Sequence, residues 1–175
     1  MQKESEATIW DNAVSESIVI KASRALVWSY ASDSSKASEW SVFFHHISPL
    51  PGKSDGDVGS VRRCFRMEDE TGAYWDEVIT RVVPEEIREI TTYNLTGFDF
   101  NFLSNGQYVF VRQIYKVLDS ETTELTFQTI SPHTANLLAK FVFYLSKDKT
   151  RKIFKENLEN IKAGIEGKPR LHKWY

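Results

Sequence analysis

The stretch "SIVIKASRALVWSYASDSSKASEW", residues 17–40, decides the fold because it predicts one strand followed directly by two short helices. The strand is predicted over residues 14–22, and Ser23 is a suitable N-cap for a helix over residues 24–33. Residues 34–40 predict the second short helix. The chain therefore begins with a β-α-α unit.

Strands separated by short turns are predicted through the middle of the chain. The turns are marked by glycine and aspartate in residues 53–59, by "DETG" at 69–72 and by Asn105-Gly106, a strong hairpin signal. The predicted strands are residues 42–50, 60–68, 73–83, 87–95, 108–118 and 124–130. Since turns of this length join antiparallel neighbours, the sequence predicts one antiparallel sheet of about seven strands.

Residues 132–167 are typical of one long helix whose apolar stripe changes face. The first stripe consists of Leu138, Phe141, Val142 and Leu145, and the second of Phe154, Leu158, Ile161 and Ile165. The two stripes lie about half a turn apart. Either the helix breaks or kinks near residues 146–150, or its first half packs differently from its second. That first half could be core, gate an opening into the domain, or contact a lipid surface.

A single long helix must cover the apolar face of the sheet, which predicts an α+β domain. The length of 175 residues suits one domain with a sizeable core. We expect an N-terminal lead-in at 1–13, the domain at 14–167 and a C-terminal tail at 168–175.

Composition narrows the classes of function. The chain is 41% hydrophobic and 26% charged with a net charge of −2, and no basic stripe indicates a nucleic-acid partner. The single cysteine, Cys64, excludes an internal disulfide and fits a reducing compartment. The N-terminus lacks the apolar segment of a signal peptide, and no run approaches the ~18 apolar residues of a membrane span. We therefore expect a cytoplasmic protein without stable membrane insertion.

The stretch "DVGSVRRCFRM", residues 57–67, contains an unusual strand. Alternation places Val61, Arg63, Phe65 and Met67 on one face, and an apolar face should pack inward. A solid core does not accept an unpaired charge. Either Arg63 reaches water at the end of the strand, or the interior is hollow.

Together these features resemble the helix-grip fold of the START/polyketide cyclase (SRPBCC) superfamily, in its polyketide cyclase/dehydrase-like branch. The resemblance is carried by residues 17–40 and by "DGDVGSVRRC" (55–64), "DEVITRVVPEEIREITTYN" (76–94) and "FKENLENIKAGIE" (154–166). Pollen-allergen proteins share this layout. The resemblance implies a curved antiparallel sheet of about seven strands around a long C-terminal helix, with two short helices after strand 1.

The resemblance also implies a cavity between sheet and helix. We therefore expect binding or transport of a small hydrophobic or amphipathic molecule, a lipid included. A cofactor-independent polyketide-type cyclase or dehydratase and a protein-interaction module are the alternatives, because a fold does not determine one function. No cofactor is expected, and a homodimer is left open.

Polar side chains that share a face with inward apolar neighbours are candidates for the cavity. Arg63 and Glu77 on adjacent strands could neutralise each other, or Arg63 could hold a ligand's carboxylate or keto oxygen. A β-bulge would instead turn Arg62 or Asp76 inward. The predicted ligand-binding residues are Trp40, Arg63, Phe65, Trp75, Glu77, Tyr93, Phe127, Leu138, Phe141 and Leu145.

The adjacent His45 and His46 do not indicate a metal site. Neighbouring side chains on a strand point to opposite faces, so the two imidazoles cannot chelate one ion. One of them should face inward, where it could act with Glu77 or Tyr93 as general acid or base.

Overall fold

Seven strands form one antiparallel sheet in the computed structural model, which describes residues 13–97, 109–130 and 137–170. Along the sheet the strands follow the order β1-β7-β6-β5-β4-β3-β2. The elements are β1 Val14–Ile20, α1 Arg24–Ser32, a 3-10 turn Ser34–Lys36, α2 Ala37–Trp40, β2 His46–Pro49, β3 Val61–Phe65, β4 Tyr74–Val83, β5 Ile87–Thr96, β6 Val109–Asp119, β7 Thr122–Ile130 and α3 Leu137–Ile165. This order confirms the predicted α+β architecture.

Two predictions about the chain are left untested by the structure. The hairpin expected at Asn105-Gly106 lies outside the described residues. The domain boundaries at residues 13 and 167 stay predictions.

The inner face of the sheet, which carries Cys64, Trp75 and Leu125, packs against the second half of α3. Leu158 and Ile161 of α3 are 1% and 0% exposed and belong to the same apolar cluster. Full burial of one such side chain stabilises the fold by about 1.5–3 kcal/mol. These contacts hold the helix on the sheet.

Two buried asparagines of α3 fix the chain at the end of α2. The backbone N–H of Val42 donates to Asn157 Oδ1 at 2.8 Å, and Asn160 Nδ2 donates to the carbonyl of Trp40 at 3.1 Å. Buried backbone groups need such partners. The second half of α3 therefore positions Trp40 as well as covering the sheet.

The first half of α3 packs differently from the second. The helix is continuous from Leu137 to Ile165, so it does not break near residues 146–150, and the kink stays untested. Phe141 and Leu145 are 58% and 64% exposed, so these two side chains lie outside the core. Among the described residues no helix, α3 included, is long and apolar enough to cross a membrane.

Strand β3 turns inward the face opposite to the predicted one. Arg62 pairs in register with Glu77, and both Arg62 and Cys64 are buried on the inner face. Arg63 and Phe65 therefore lie on the outer face, and their predicted inward orientation is wrong. Counting apolar residues gave the wrong face because Glu77 neutralises the inward arginine, while Phe65 is covered by other side chains of the outer face.

Candidate functional site

Four aromatic side chains from separate parts of the chain meet on the inner side of the sheet. Trp40 of α2 packs edge-on against Phe44 and against Phe127 of β7, with ring centroids 5.8 and 6.2 Å apart. Phe44 also contacts Trp75 of β4, at 5.6 Å. The indole N–H of Trp40 is buried and has no acceptor in the described part of the chain. These rings form an aromatic wall beside the inner face.

A buried ion pair lies next to this wall. Arg62 donates from Nε and Nη2 to Glu77 Oε2, at 2.9 and 2.8 Å, and from Nη1 to Ser34 Oγ at 3.0 Å. The other carboxylate oxygen of Glu77 accepts the indole N–H of Trp75 at 2.9 Å. Every oxygen of this carboxylate therefore has a donor, which a buried charge requires.

The pair keeps both groups ionised. Burial, the largest effect, raises the pKa of Glu77, but Arg62, the hydrogen bond from Trp75 and the charge of Arg88 together hold that pKa below its ordinary value. Burial lowers the pKa of Arg62, but Glu77 and other nearby groups together raise it above its ordinary value. Glu77 is thus a charged, fully bonded carboxylate at neutral pH. Such a group is poorly suited to act as a general acid or base.

A second buried arginine borders the ion pair. Arg88 of β5 is 2% exposed, and its Nη1 donates to the carbonyl of Ser32, at the end of α1, at 3.0 Å. The final carbonyls of a helix carry the negative end of its dipole, so this contact is favourable. Burial, together with the charge of Arg62, lowers the pKa of Arg88 to about 10. Arg88 therefore remains charged at neutral pH.

A pocket of about 310 Å³ opens beside Arg88. It is lined by Trp28, Ser32, Asp33, Asp55, Gly56 and Arg88. Arg88 Nη2 is buried and has no hydrogen-bond partner among the described residues. Since buried polar groups are almost always bonded, this nitrogen marks a place for an acceptor. The volume lies at the small end of the range for ligand pockets.

Tyr115 adds a neutral polar group beside this pocket. Its ring lies edge-on to that of Trp28, with centroids 4.9 Å apart, and its hydroxyl donates to Gln113 Oε1 at 3.1 Å. Burial raises the pKa of Tyr115, and the charges of Arg88 and Arg62 offset only part of that effect. Tyr115 is therefore a protonated donor.

Solved structures of similar shape cover most of the chain. DynU16, a protein of the dynemicin biosynthetic locus, is 17% identical over 94% of this chain with a TM-score of 0.67, and the match spans about half, 51%, of that protein. Norcoclaurine synthase from Thalictrum flavum, solved with dopamine and hydroxybenzaldehyde, is 14% identical over 91% of this chain and 89% of its own, with a TM-score of 0.59. Ara h 8.0201 is 14% identical over 89% and 98%, with a TM-score of 0.60. No family model and no curated protein sequence matches.

The chain has a helix-grip fold. The predicted resemblance to the START/polyketide cyclase superfamily is thereby confirmed at the level of fold. At these identities the likeness extends to the fold alone, so the ligands and activities of the neighbours remain theirs.

On the outer face of the helix-grip sheet, Arg63 pairs with Asp76. Arg63 Nε and Nη2 donate to the two carboxylate oxygens at 2.7 and 3.0 Å, and Asn94 Nδ2 donates to Asp76 Oδ2 at 2.7 Å. The guanidinium lies 4.2 Å from the centre of the Tyr74 ring. The expected Arg63–Glu77 pair does not form, because the register sets Arg63 opposite Asp76.

Phe65 and Tyr93 also lie on the outer face. Phe65 stacks on His46, with ring centroids 5.1 Å apart, and Tyr93 is opposite Asp76 in the register. The predicted inward orientation of Tyr93 is wrong because β5 alternates regularly up to Tyr93 and turns Arg88, Ile90 and Thr92 inward. The pairing with β4 shifts only beyond Tyr93, near Asn94 with its φ of 53°, so Leu95 packs on the inner cluster and does not share the face of Tyr93.

Two of the three predicted residues of α3, Phe141 and Leu145, are not part of the aromatic wall. Phe141 and Leu145 are exposed and outside the inner apolar cluster, because the packed face of α3 belongs to its second half. The side chain of Leu138 lies outside the described part of the structure. Their role in ligand binding stays a prediction.

The two histidines turn toward the acidic turn between β3 and β4. His45 Nε2 lies 3.9 Å from Glu68 Oε2, and His46 Nε2 lies 3.0 Å from Glu70 Oε1. Neither belongs to the inner apolar cluster. Within the described ranges no group of three or more His, Cys, Asp or Glu could hold a metal ion.

Arg88 was not among the residues predicted for the site. Arg62 was predicted to face inward only if a β-bulge interrupted its strand. The sequence does contain a signal for Arg88, because a strand places it on the same face as Ile90, which is 4% exposed. Assigning Ile90 to the core would have placed Arg88 on the inner face.

Proposed function

We propose that the protein binds a small amphipathic molecule on the inner side of the helix-grip sheet, in the pocket beside Arg88. The observation that carries this proposal is the buried Nη2 of Arg88, a residue that lines the pocket; this nitrogen lacks an acceptor among the described residues. Leaving such a donor unmet costs about 1–3 kcal/mol. A ligand oxygen in the pocket would recover that cost.

The lining indicates the class of ligand. Trp28 offers an aromatic surface, whereas Asp33 and Asp55 disfavour a multiply charged anion such as a phosphate. We therefore expect a molecule with an apolar or aromatic body and one keto, hydroxyl or carboxylate oxygen directed at Arg88. The small volume suits a molecule of few rings.

Four of the predicted ligand-binding residues retain a role in this proposal. Trp40, Trp75 and Phe127 form the aromatic wall. Glu77 holds Arg62 and offsets the charge of Arg88. None of the four lines the pocket itself, so their part is to pack and neutralise the interior next to it.

Binding is favoured over catalysis because the best-placed carboxylate is already engaged. Glu77 is ionised and accepts from Arg62 and Trp75, so it has no free position from which to take a substrate proton. A cyclase or dehydratase activity would need another acid or base.

Fluorescence titration with anilinonaphthalene sulfonate, an aromatic anion, tests the proposal. Arg88→Met should raise the dissociation constant about tenfold, because it removes a charge-assisted hydrogen bond. Arg88→Lys, which keeps the positive charge, should raise the dissociation constant by a smaller factor. Arg112→Met is the matched control, since Arg112 is a sheet arginine that pairs with Glu89 on the outer face.

The result expected is weaker binding in Arg88→Met and unchanged binding in Arg112→Met, with both variants folded by circular dichroism. Because Arg88 also holds the end of α1, Trp28→Leu serves as a second variant and should weaken binding as well. Equal affinity in wild type, Arg88→Met and Trp28→Leu would refute the proposed pocket.

A further inference from the structure

The first half of α3 exposes large apolar side chains along one side. Leu137, Phe141, Tyr144 and Leu145 are 86%, 58%, 65% and 64% exposed. With 3.6 residues per turn, these positions fall within a sector of about 100° and extend about 12 Å along the helix axis. We call them the apolar end of α3. Exposed apolar patches of this kind mark interaction sites.

A basic segment follows the apolar end directly. Residues 147–155 contain Lys147, Lys149, Arg151, Lys152 and Lys155 and only one acidic residue, Asp148, whereas the chain as a whole has a net charge of −2. Lys149, Arg151, Lys152 and Lys155 are exposed. We call residues 147–155 the basic belt.

The charges of the basic belt are only partly offset by neighbouring carboxylates. Arg151 lies 3.2 Å from Asp148, whose side chain is 94% exposed, and Lys152 lies 3.9 Å from Glu156. A pair with both side chains exposed, such as Arg151–Asp148, is weak, so it competes little with an external anion. Lys147 Nζ lies 5.4 Å from the centre of the Tyr144 ring, which places a basic group at the border of the apolar end.

We propose that the first half of α3 docks on the surface of an anionic lipid bilayer. The apolar end enters the boundary between headgroups and acyl chains, and the basic belt contacts the anionic headgroups. This division of apolar and basic side chains is typical of helices that bind at membrane surfaces. The charge of the belt selects this partner, because an anionic bilayer attracts each nearby Lys or Arg. The proposal does not depend on the pocket beside Arg88.

Co-sedimentation with vesicles tests the proposal. The full chain should bind vesicles of phosphatidylcholine and phosphatidylserine, bind vesicles of phosphatidylcholine alone much more weakly, and dissociate as salt is raised. Lys149→Gln/Lys152→Gln should weaken binding about 30-fold, the effect of losing two basic contacts. Phe141→Ser/Leu145→Ser should also weaken it.

A matched control comes from strand β6. Val117 and Leu118 of β6 are 49% and 45% exposed, so Val117→Ser/Leu118→Ser removes a similar exposed apolar pair outside α3 and should leave binding unchanged. All the replaced side chains are exposed, so the variants should unfold at the wild-type temperature.

Two results would overturn the proposal. One is the same vesicle binding in wild type, Phe141→Ser/Leu145→Ser and Lys149→Gln/Lys152→Gln. The other is a concentration-dependent dimer in sedimentation velocity, without vesicles, that Phe141→Ser/Leu145→Ser abolishes, since the apolar end would then bind a second copy of the chain.

Discussion

Replacing Glu77 with glutamine should strongly destabilise the protein, because it leaves Arg62 charged and unpaired in the interior. Arg62 is 5% exposed, and Glu77 accepts two of its hydrogen bonds, at 2.8 and 2.9 Å. Its remaining acceptor, Ser34 Oγ, carries no charge. Breaking a buried ion pair from one side costs about 3–5 kcal/mol.

Arg88 argues against a loss at the lower end of that range. Burial and the charge of Arg62 already lower the pKa of Arg88 to about 10, and Glu77 partly offsets this. Without the carboxylate, two guanidiniums remain close together with little compensation. We expect a loss of about 4 kcal/mol in the free energy of unfolding. With a urea slope of about 2 kcal/mol per molar, the midpoint should fall by about 2 M.

Urea unfolding followed by circular dichroism at neutral pH measures this loss. Asp76→Asn is the matched control on the outer face, where the Arg63 side chain is 29% exposed and water can solvate it, so a smaller loss is expected. Arg62→Gln/Glu77→Gln removes both charges and should be more stable than Glu77→Gln alone. A loss below about 1 kcal/mol in Glu77→Gln would refute the reasoning.

The remaining predictions concern stability at acid pH and the close contact between Gly164 of α3 and Tyr30 of α1. Burial raises the pKa of Glu77, but Arg62 and neighbouring groups together hold it below the ordinary 4.5, so the pair's stabilisation is complete above that pH and is lost as pH falls through the lower folded-state pKa. Urea midpoints in the acid range should therefore decline less in Glu77→Gln, and equal declines would contradict this. Gly164→Ala should lower Tm by about 5 °C because the new Cβ would overlap the Tyr30 side chain. In a Tyr30→Leu background the same change should raise Tm, since alanine favours helix; a rise in the wild-type background would count against the close approach.

The fold could be predicted from the sequence because its signals are local. Turns such as residues 53–59 and 69–72 fix the hairpins, and hairpins fix an antiparallel order. The unit over residues 17–40 then leaves few ways to place a long helix. Each of these signals is independent of the details of side-chain packing.

The site was harder to predict because it depends on which face of each strand is buried. On β3 the face that carries Arg63 has more apolar residues, so it was predicted to point inward. In the structure Arg62 points inward instead, where it forms an ion pair with Glu77. On β5 the pairing shift near Asn94 lets Leu95 pack on the inner cluster while Tyr93, two residues earlier, lies on the outer face. Charge neutralisation across strands is a property of the register, which a single strand's pattern does not contain.

Native mass spectrometry of the freshly purified protein tests most directly whether the inner side of the sheet holds a small molecule. The account predicts an added mass that denaturation releases, present in wild type and in Arg112→Met and absent or much reduced in Arg88→Met. An added mass that Arg88→Met retains in full, or only the bare chain in wild type, would contradict it.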